Sequence, residues 1–319
     1  MVAAGTLLLG AAFASAVAHA QSWPSRPLRF IVPTPPGSSV DLVARVIADK
    51  LKEHWSQGVV VENRPGAGGT IAAGIVAKAT DGHTFFVGFN GPLTVAPAMF
   101  PALSYDPARD LLPVVLAVTQ PNVLAVRADL KVDGLKALID LAKARPGRLN
   151  YASVGNGSLS HLAMELLKMQ AGVYVVHIPY SGGPPAVQAL ASGEVDALFT
   201  ALSNLQPLVR AGKARLIAVS NARRSIAAPE VATVAEQGFR GLDAPPWNGF
   251  MGPAGTPAAV IAELNQAINR VLADAEIRNR LLASGAEPAG GAPEQFAALL
   301  RAERARWAEV IRRTGIKAD

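Results

Sequence analysis

Four short stretches hold the residue types that could do chemistry: "IVPTPPGSSVDLVAR" (31–45), "RPGAGGT" (64–70), "SVGNGSLSH" (153–161) and "YSGGPPA" (180–186). Each places glycine or a small hydroxyl residue after an apolar run and before a helical pattern. Such a turn can hold an anion on the free N–H groups and positive dipole end of the helix. It can also present a nucleophilic serine, or simply cap the helix. With Ser38 as cap, Asp41 falls at the third helical position, a capping-box-like arrangement; Ser158 as cap puts His161 there. In the fourth turn Gly183 can cap, with Pro184 at the first helical position.

Catalytic readings find little support in these residues. No Gly-x-Ser-x-Gly elbow exists, and "GAGGT" lacks the Gly-Lys-Ser/Thr of a phosphate loop. Gly66 and Gly68 are followed by Ile71 where a dinucleotide fingerprint needs its third glycine. The histidines (19, 54, 83, 161 and 177) show no metal spacing, and with no cysteine there is no thiol chemistry or thiolate metal site. Glu194 and Asp196 read as strand-edge residues rather than an acid/base pair. The expectation is therefore no enzyme, no metal and no cofactor. Any one such turn is more often a cap than a site, and a lone histidine such as His161 more often packs than binds. Several of them, gathered where strands of open sheets end, favour a binding cleft.

The elements that must position these turns alternate. "LRFIVP" (28–33), a helix over about 40–54, "VVVEN" (59–63), a short helix near 70–79 and "TFFVGF" (84–89) have the grammar of a parallel sheet covered by helices. A second series begins with "NVLAVR" (122–127) and continues with a helix at 134–144, "LNYASV" (149–154) and a helix over 159–171. "VYVVHIPY" (173–180), a helix over 184–191, "VDALFTAL" (195–202) and "ARLIAVS" (214–220) complete it. Beyond that the chain reads as mostly helical: one helix from Thr256-Pro257 to about Ser284, and another from Pro293 to about Arg313. These last helices have no sheet of their own and should pack onto one of the two α/β units.

Composition narrows the class. The 319 residues are 50% hydrophobic and carry a net charge of +6, enough for a sizeable core. The basic residues are scattered and nucleic-acid motifs are absent, so nucleic acid is not an expected partner. The uncharged segment 1–20 ends in Ala18-His19-Ala20, a small-x-small cleavage pattern. It reads as a cleavable signal peptide of an exported, periplasmic protein, with a single membrane anchor as the alternative. It lacks a basic n-region, so the true start could lie upstream.

The quoted turns, with "WPSRPLRFIVPTPPGSSVDLVARVIADKL", "VVVENRPGAGGTIAAGIVAKATDGHTF", "PGRLNYASVGNGSLSHLAMELLK", "IPYSGGPPAVQALASGEVDALF" and "RAERARWAEVIRRTGIK", give the chain a specific resemblance. In block order and over nearly its whole length it resembles the extracytoplasmic solute-binding receptors of tripartite tricarboxylate transporters, the Bug receptors. The resemblance implies a two-lobed α/β Venus-flytrap fold with two crossovers: lobe 1 at 22–121 plus 222–319, lobe 2 at 122–221. It implies a carboxylate held in the interlobe cleft by main-chain N–H groups and small polar side chains, and delivery by a monomer to integral-membrane transporter subunits.

Carried over by position, the first wall would comprise Thr34, Gly37, Ser38, Ser39, Asp41, Gly68, Gly69, Asn90 and Thr94. The facing wall would comprise Ser153, Gly155, Asn156, Gly157, Ser158 and His161, with Tyr180, Gly182, Gly183, Asp196 and Thr200 as further candidates. Asp41 is expected to brace the turn's N–H groups. The family usually has Phe at Thr34, Gly at Ser38, a basic residue at Ser181 and an Asn-Pro pair where Ala96-Pro97 stands. Two rivals stand beside this reading: a sensory receptor of the same fold, and an exported hydrolase using Ser38, Ser39 or Ser158.

Overall fold

The computed structural model describes residues 23–316 except 101, 222, 243 and 244; the expected signal segment 1–20 lies outside the described residues. The chain opens with β1 (Leu28–Val32), α1 (Ser39–Leu51), β2 (Val59–Asn63), α2 (Thr70–Ala77), β3 (Thr84–Phe89), α3 (Ala96–Met99) and β4 (Leu111–Thr119). It crosses to β5 (Asn122–Arg127), α4 (Leu135–Ala144), β6 (Asn150–Ser153), α5 (Leu159–Ala171), β7 (Val176–Pro179), α6 (Gly183–Ser192), β8 (Ala197–Ala201), α7 (Leu202–Arg210) and β9 (Ala214–Val219). It returns through β10 (Trp247–Pro253), α8 (Ala258–Ala273), α9 (Ala275–Ala283), β11 (Glu287–Pro288) and α10 (Pro293–Thr314).

Two sheets result, ordered β11-β4-β10-β3-β1-β2 and β7-β6-β8-β5-β9. Neither is all-parallel as the alternating pattern suggests. The β-α-β units pair in parallel, β1 with β2 and β3, and β6 with β7 and β8. The strands that carry the chain between sheets run the other way: β10 is antiparallel to β3 and β4, and β5 to β8 and β9. A strand arriving from the opposite lobe enters its sheet from the cleft end, which reverses its direction.

Both faces of each sheet are covered, so strands bury alternate residues on opposite sides. On β5, Leu124 and Val126 pack with Leu138, Leu162 and Leu166 of α4 and α5; Val123 and Ala125 pack with Leu190 and Leu205 of α6 and α7. In the first sheet Phe30, Val43, Ile47, Phe85, Phe250 and Ile268 form one cluster, and Ile31, Phe86, Met251 and Phe296 the other. Each such side chain contributes roughly 1.5–3 kcal/mol on burial.

Three differences from the sequence pattern have local causes. The expected long helix over 256–284 breaks at Asp274, whose extended backbone (φ −62°, ψ 129°) lets its carboxylate accept from the N–H groups of Glu276 and Ile277 and cap α9. Residues 228–242, expected with the first lobe, pack on the second sheet through Ala228, Val231, Val234 and Leu242. Finally, α10 serves both sheets: Phe296 and Leu300 lie in a first-sheet cluster, Trp307 and Ile311 in a second-sheet cluster.

Candidate ligand-binding cleft

The carboxyl ends of β1 and β6 feed the turns that open α1 and α5, and both turns are built by caps. Ser38 Oγ accepts from Asp41 N at 3.3 Å and lies 2.5 Å from Thr34 Oγ1. Asp41, only 2% exposed, accepts from Gly37 N (2.9 Å), Arg45 Nε (3.0 Å) and Asn63 Nδ2 (2.8 Å). It braces the wall from behind, as expected, and does not face the cleft. Burial alone would raise its pKa, but the Arg45, Gly37 and Asn63 donors together hold it below the ordinary 3.8. A depressed carboxylate stabilises above its unfolded value and loses that contribution as the pH falls through the folded one. The stability gap between wild type and Asp41→Asn should therefore shrink below about pH 4 in acid-titrated denaturant melts. A constant gap would exclude this bracing role.

The α5 turn repeats the device with different chemistry. Ser158 Oγ accepts from His161 N (3.3 Å) and donates to Gly155 O (2.6 Å), while His161 Nδ1 accepts from Gly157 N (3.3 Å). The His161 ring stacks on His177 with centroids 4.3 Å apart, and His177 stacks on Tyr151. His177 Nε2 meets Ser153 Oγ at 2.7 Å. His161 and Ser153 thus support the turn rather than line the cleft. In the fourth turn Gly182, not Gly183, takes the cap position, at φ +131°.

The two walls touch. Ser39 N, at the start of α1, donates to Asn204 Oδ1 of α7 at 3.1 Å. Around this contact lie two cavities. One, of about 60 Å³, is lined on the first lobe by Thr34, Ser38, Ser39 and Asn90, and on the second by Ser158, Gly183 and Thr200. The other, of about 290 Å³, is lined by Thr34, Gly68, Gly69, Gly155, Asn156 and Tyr180. The Tyr180 hydroxyl donates to Glu194 Oε1 at 2.7 Å; burial and that carboxylate push its pKa up to about 12.

Several expected residues do not line these cavities. Asp196 is a correction: it stands before β8, at the strand end away from the cleft, accepting from Arg127 Nε and Asn150 N, each at 2.9 Å. Thr94 is buried and donates to Asn90 O and Glu303 Oε2. Gly37 belongs to the braced turn, Gly157 backs onto Met99 and Phe100, and Gly182 faces Pro35.

What sequence reasoning missed is a set of amides. Gln120, Asn122, Asn204 and Asn248 line the smaller cavity with Asn90, beside Ser160 and Phe89. Gln120 and Asn122 flank Pro121 at the first crossover, the one available signal. Asn204 opens a fifth strand-to-helix turn, β8 into α7, which an apolar run had concealed.

Comparison with known proteins accords with this geometry. The family model described as "Tripartite tricarboxylate transporter family receptor" matches residues 43–316. The chain is 38% identical over 313 residues to the protein BugT of Bordetella pertussis, covering 98% of this chain and 96% of that one. Two solved structures from Rhodopseudomonas palustris superpose closely. Rpa4515 with adipate gives a TM-score of 0.89 at 36% identity, covering 92% of this chain and 99% of that one. MatC with bound malate gives 0.86 at 35%, covering 91% and 100%. The two sheets are the lobes of a periplasmic-binding-protein fold. By sequence and by fold, the chain belongs to the receptor family of the tripartite tricarboxylate transporters.

Proposed function

We propose that this protein captures a small organic anion, a carboxylate, in the interlobe cleft and delivers it to integral-membrane subunits of a tripartite tricarboxylate-type transporter. Lobe 1 then comprises 22–121 and the chain from β10 onward, and lobe 2 the residues 122–242. Residues 1–20 direct export to the periplasm and are removed.

One observation carries this reading. The N-termini of α1 and α5, from opposite lobes, open on one cavity whose lining, among the described residues, contains no Lys, Arg, His, Asp or Glu. Each terminus is equivalent to roughly half a positive charge. A carboxylate there meets N–H groups, hydroxyls and amides without an opposing charge. A ligand bridging the walls favours the closed arrangement by its differential contacts, and the closed shape is what a membrane partner reads. The adipate and malate held by the two similar proteins support the ligand class. The cap serines support binding rather than turnover: Ser38 and Ser158 are engaged by their own turns.

The test is a thermal-shift screen against mono- and dicarboxylates, including adipate and malate, with aromatic acids and acidic amino acids. At a hundred times Kd a ligand specific for the native state adds about 2.7 kcal/mol, raising Tm by roughly 5–10 °C. Unchanged melting with every anion would overturn the reading.

A further inference from the structure

Five amide side chains line the smaller cavity, and four are satisfied by the protein at both ends. Asn90 donates to Glu303 and accepts from Trp247 N. Gln120 donates to Asn248 and accepts from Ser203 Oγ. Asn248 accepts that bond and donates to Trp247 O. Asn204 accepts from Ser39 N and donates to Thr200 Oγ1. Asn122 differs. It is 1% exposed, it lines the cavity, and neither Nδ2 nor Oδ1 has a hydrogen-bond partner. Its backbone is tied, N to Asn221 Oδ1 and O to Ser220 N, so the amide is carried on a fixed stretch of main chain.

A buried amide lacking both partners is costly and rare in folded proteins, and calls for an explanation. Resting on the cleft reading above, we propose that the Asn122 carboxamide determines ligand specificity by engaging a ligand group that both accepts and donates. With no charge among the described lining residues, the matching chemistry is a hydroxyl-bearing carboxylic acid: its hydroxyl accepts from Nδ2 and donates to Oδ1. The carboxylate is left to the N–H groups of α1 and α5. A chain carrying only methylene at that point strands both amide atoms, and a site built to hydrogen-bond a polar group rejects the analogue lacking it.

The experiment uses isothermal titration calorimetry with two probe pairs, malate against succinate and 2-hydroxyglutarate against glutarate, on wild type, Asn122→Leu and Asn122→Ala. Wild type is expected to bind the hydroxy acid of at least one pair about tenfold or more tighter. Both variants should bring that pair within about twofold, chiefly by weakening the hydroxy acid. Without ligand, the Tm of Asn122→Leu should equal or exceed that of wild type, because an unsatisfied buried amide has been removed. Three results overturn the proposal while leaving carboxylate capture standing: no hydroxyl preference in wild type, the same preference in both variants, or a ligand-free Tm lowered by several degrees in both. Binding of none of the four acids to wild type removes this inference, while the cleft reading falls only if the wider anion screen is also silent.

Discussion

Gly68→Val should abolish ligand capture while leaving a folded protein. Gly68 lies in the tight turn between β2 and α2 with φ +61°, and a Cβ there would sit 2.5 Å from the backbone oxygen of Asn156 on the opposite lobe. Both groups are backbone, so no rotamer change relieves the overlap, and the lobes must stay apart. The backbone strain costs about 1–2 kcal/mol at a left-handed position. That is a fraction of an ordinary stability margin of 5–15 kcal/mol. Loss of closure removes every contact that spans the cleft, Ser39 N to Asn204 among them. An affinity loss of at least about 100-fold, near 3 kcal/mol, is expected by calorimetry. Gly82→Ala is the control: its φ is +66° and no atom lies within 4 Å of the added Cβ, so it carries strain without collision. Wild-type affinity in Gly68→Val would refute this role, as would an equal loss in Gly82→Ala.

Glu303→Ala should cause the largest stability loss of the changes considered. This α10 carboxylate is buried and accepts from Asn90 Nδ2 (2.8 Å), Trp247 Nε1 (3.0 Å) and Thr94 Oγ1 (3.2 Å). It thereby joins the turn after β3, the start of β10 and the last helix. Alanine leaves the Asn90 and Trp247 donors buried without an acceptor, at about 1–3 kcal/mol each, while Thr94 keeps Asn90 O, so a total on the order of 3–5 kcal/mol is expected in denaturant melts. Glu303→Gln retains one acceptor oxygen but turns an NH2 toward a donor, and should cost about 1–3 kcal/mol. Burial raises the Glu303 pKa above its ordinary 4.5, with the Asn90, Trp247 and Thr94 donors pulling back. The sign is therefore opposite to that of Asp41. The folded state holds the Glu303 proton more tightly, so this group's contribution is full below about pH 4.5 and declines as the pH rises through the folded value. A Glu303→Ala protein within 1 kcal/mol of wild type would refute the bracing role.

Caps and strand patterns were the most readable part of the chain, because both are local. Ser38 and Ser158 announce their helices within a few residues, and α5 (Leu159–Ala171) and β5 (Asn122–Arg127) fall where periodicity puts them. What failed depends on distant packing. The strand β10, "WNGFMGP", carries two glycines and an asparagine and lies unassigned in a stretch that reads as mostly helical. Its composition is imposed by α10 and α8: a Cβ at Gly249 would meet Phe296 at 2.3 Å, and one at Gly252 would meet Ile261 at 3.0 Å. The candidate cleft followed the same division. Its glycines and cap serines come from the turns themselves. Asn122, Asn204, Gln120 and Asn248 reach the cavity only once crossovers and lobes are assembled. His161 and Asp196 lie away from the cleft cavities, a placement hidden in the sequence because residue type is visible there and direction is not: the His161 ring stacks on His177 and the Asp196 carboxylate serves the far end of its strand.

The last helix has a mechanical consequence. Since α10 anchors Phe296 and Leu300 in one lobe and Trp307 and Ile311 in the other, the halves are coupled by a rigid strut as well as by two backbone crossings. A wide swing about the crossings would pull an indole or a phenyl ring from its bed. Separating the halves therefore costs packing along α10 as well as the contacts across the cleft.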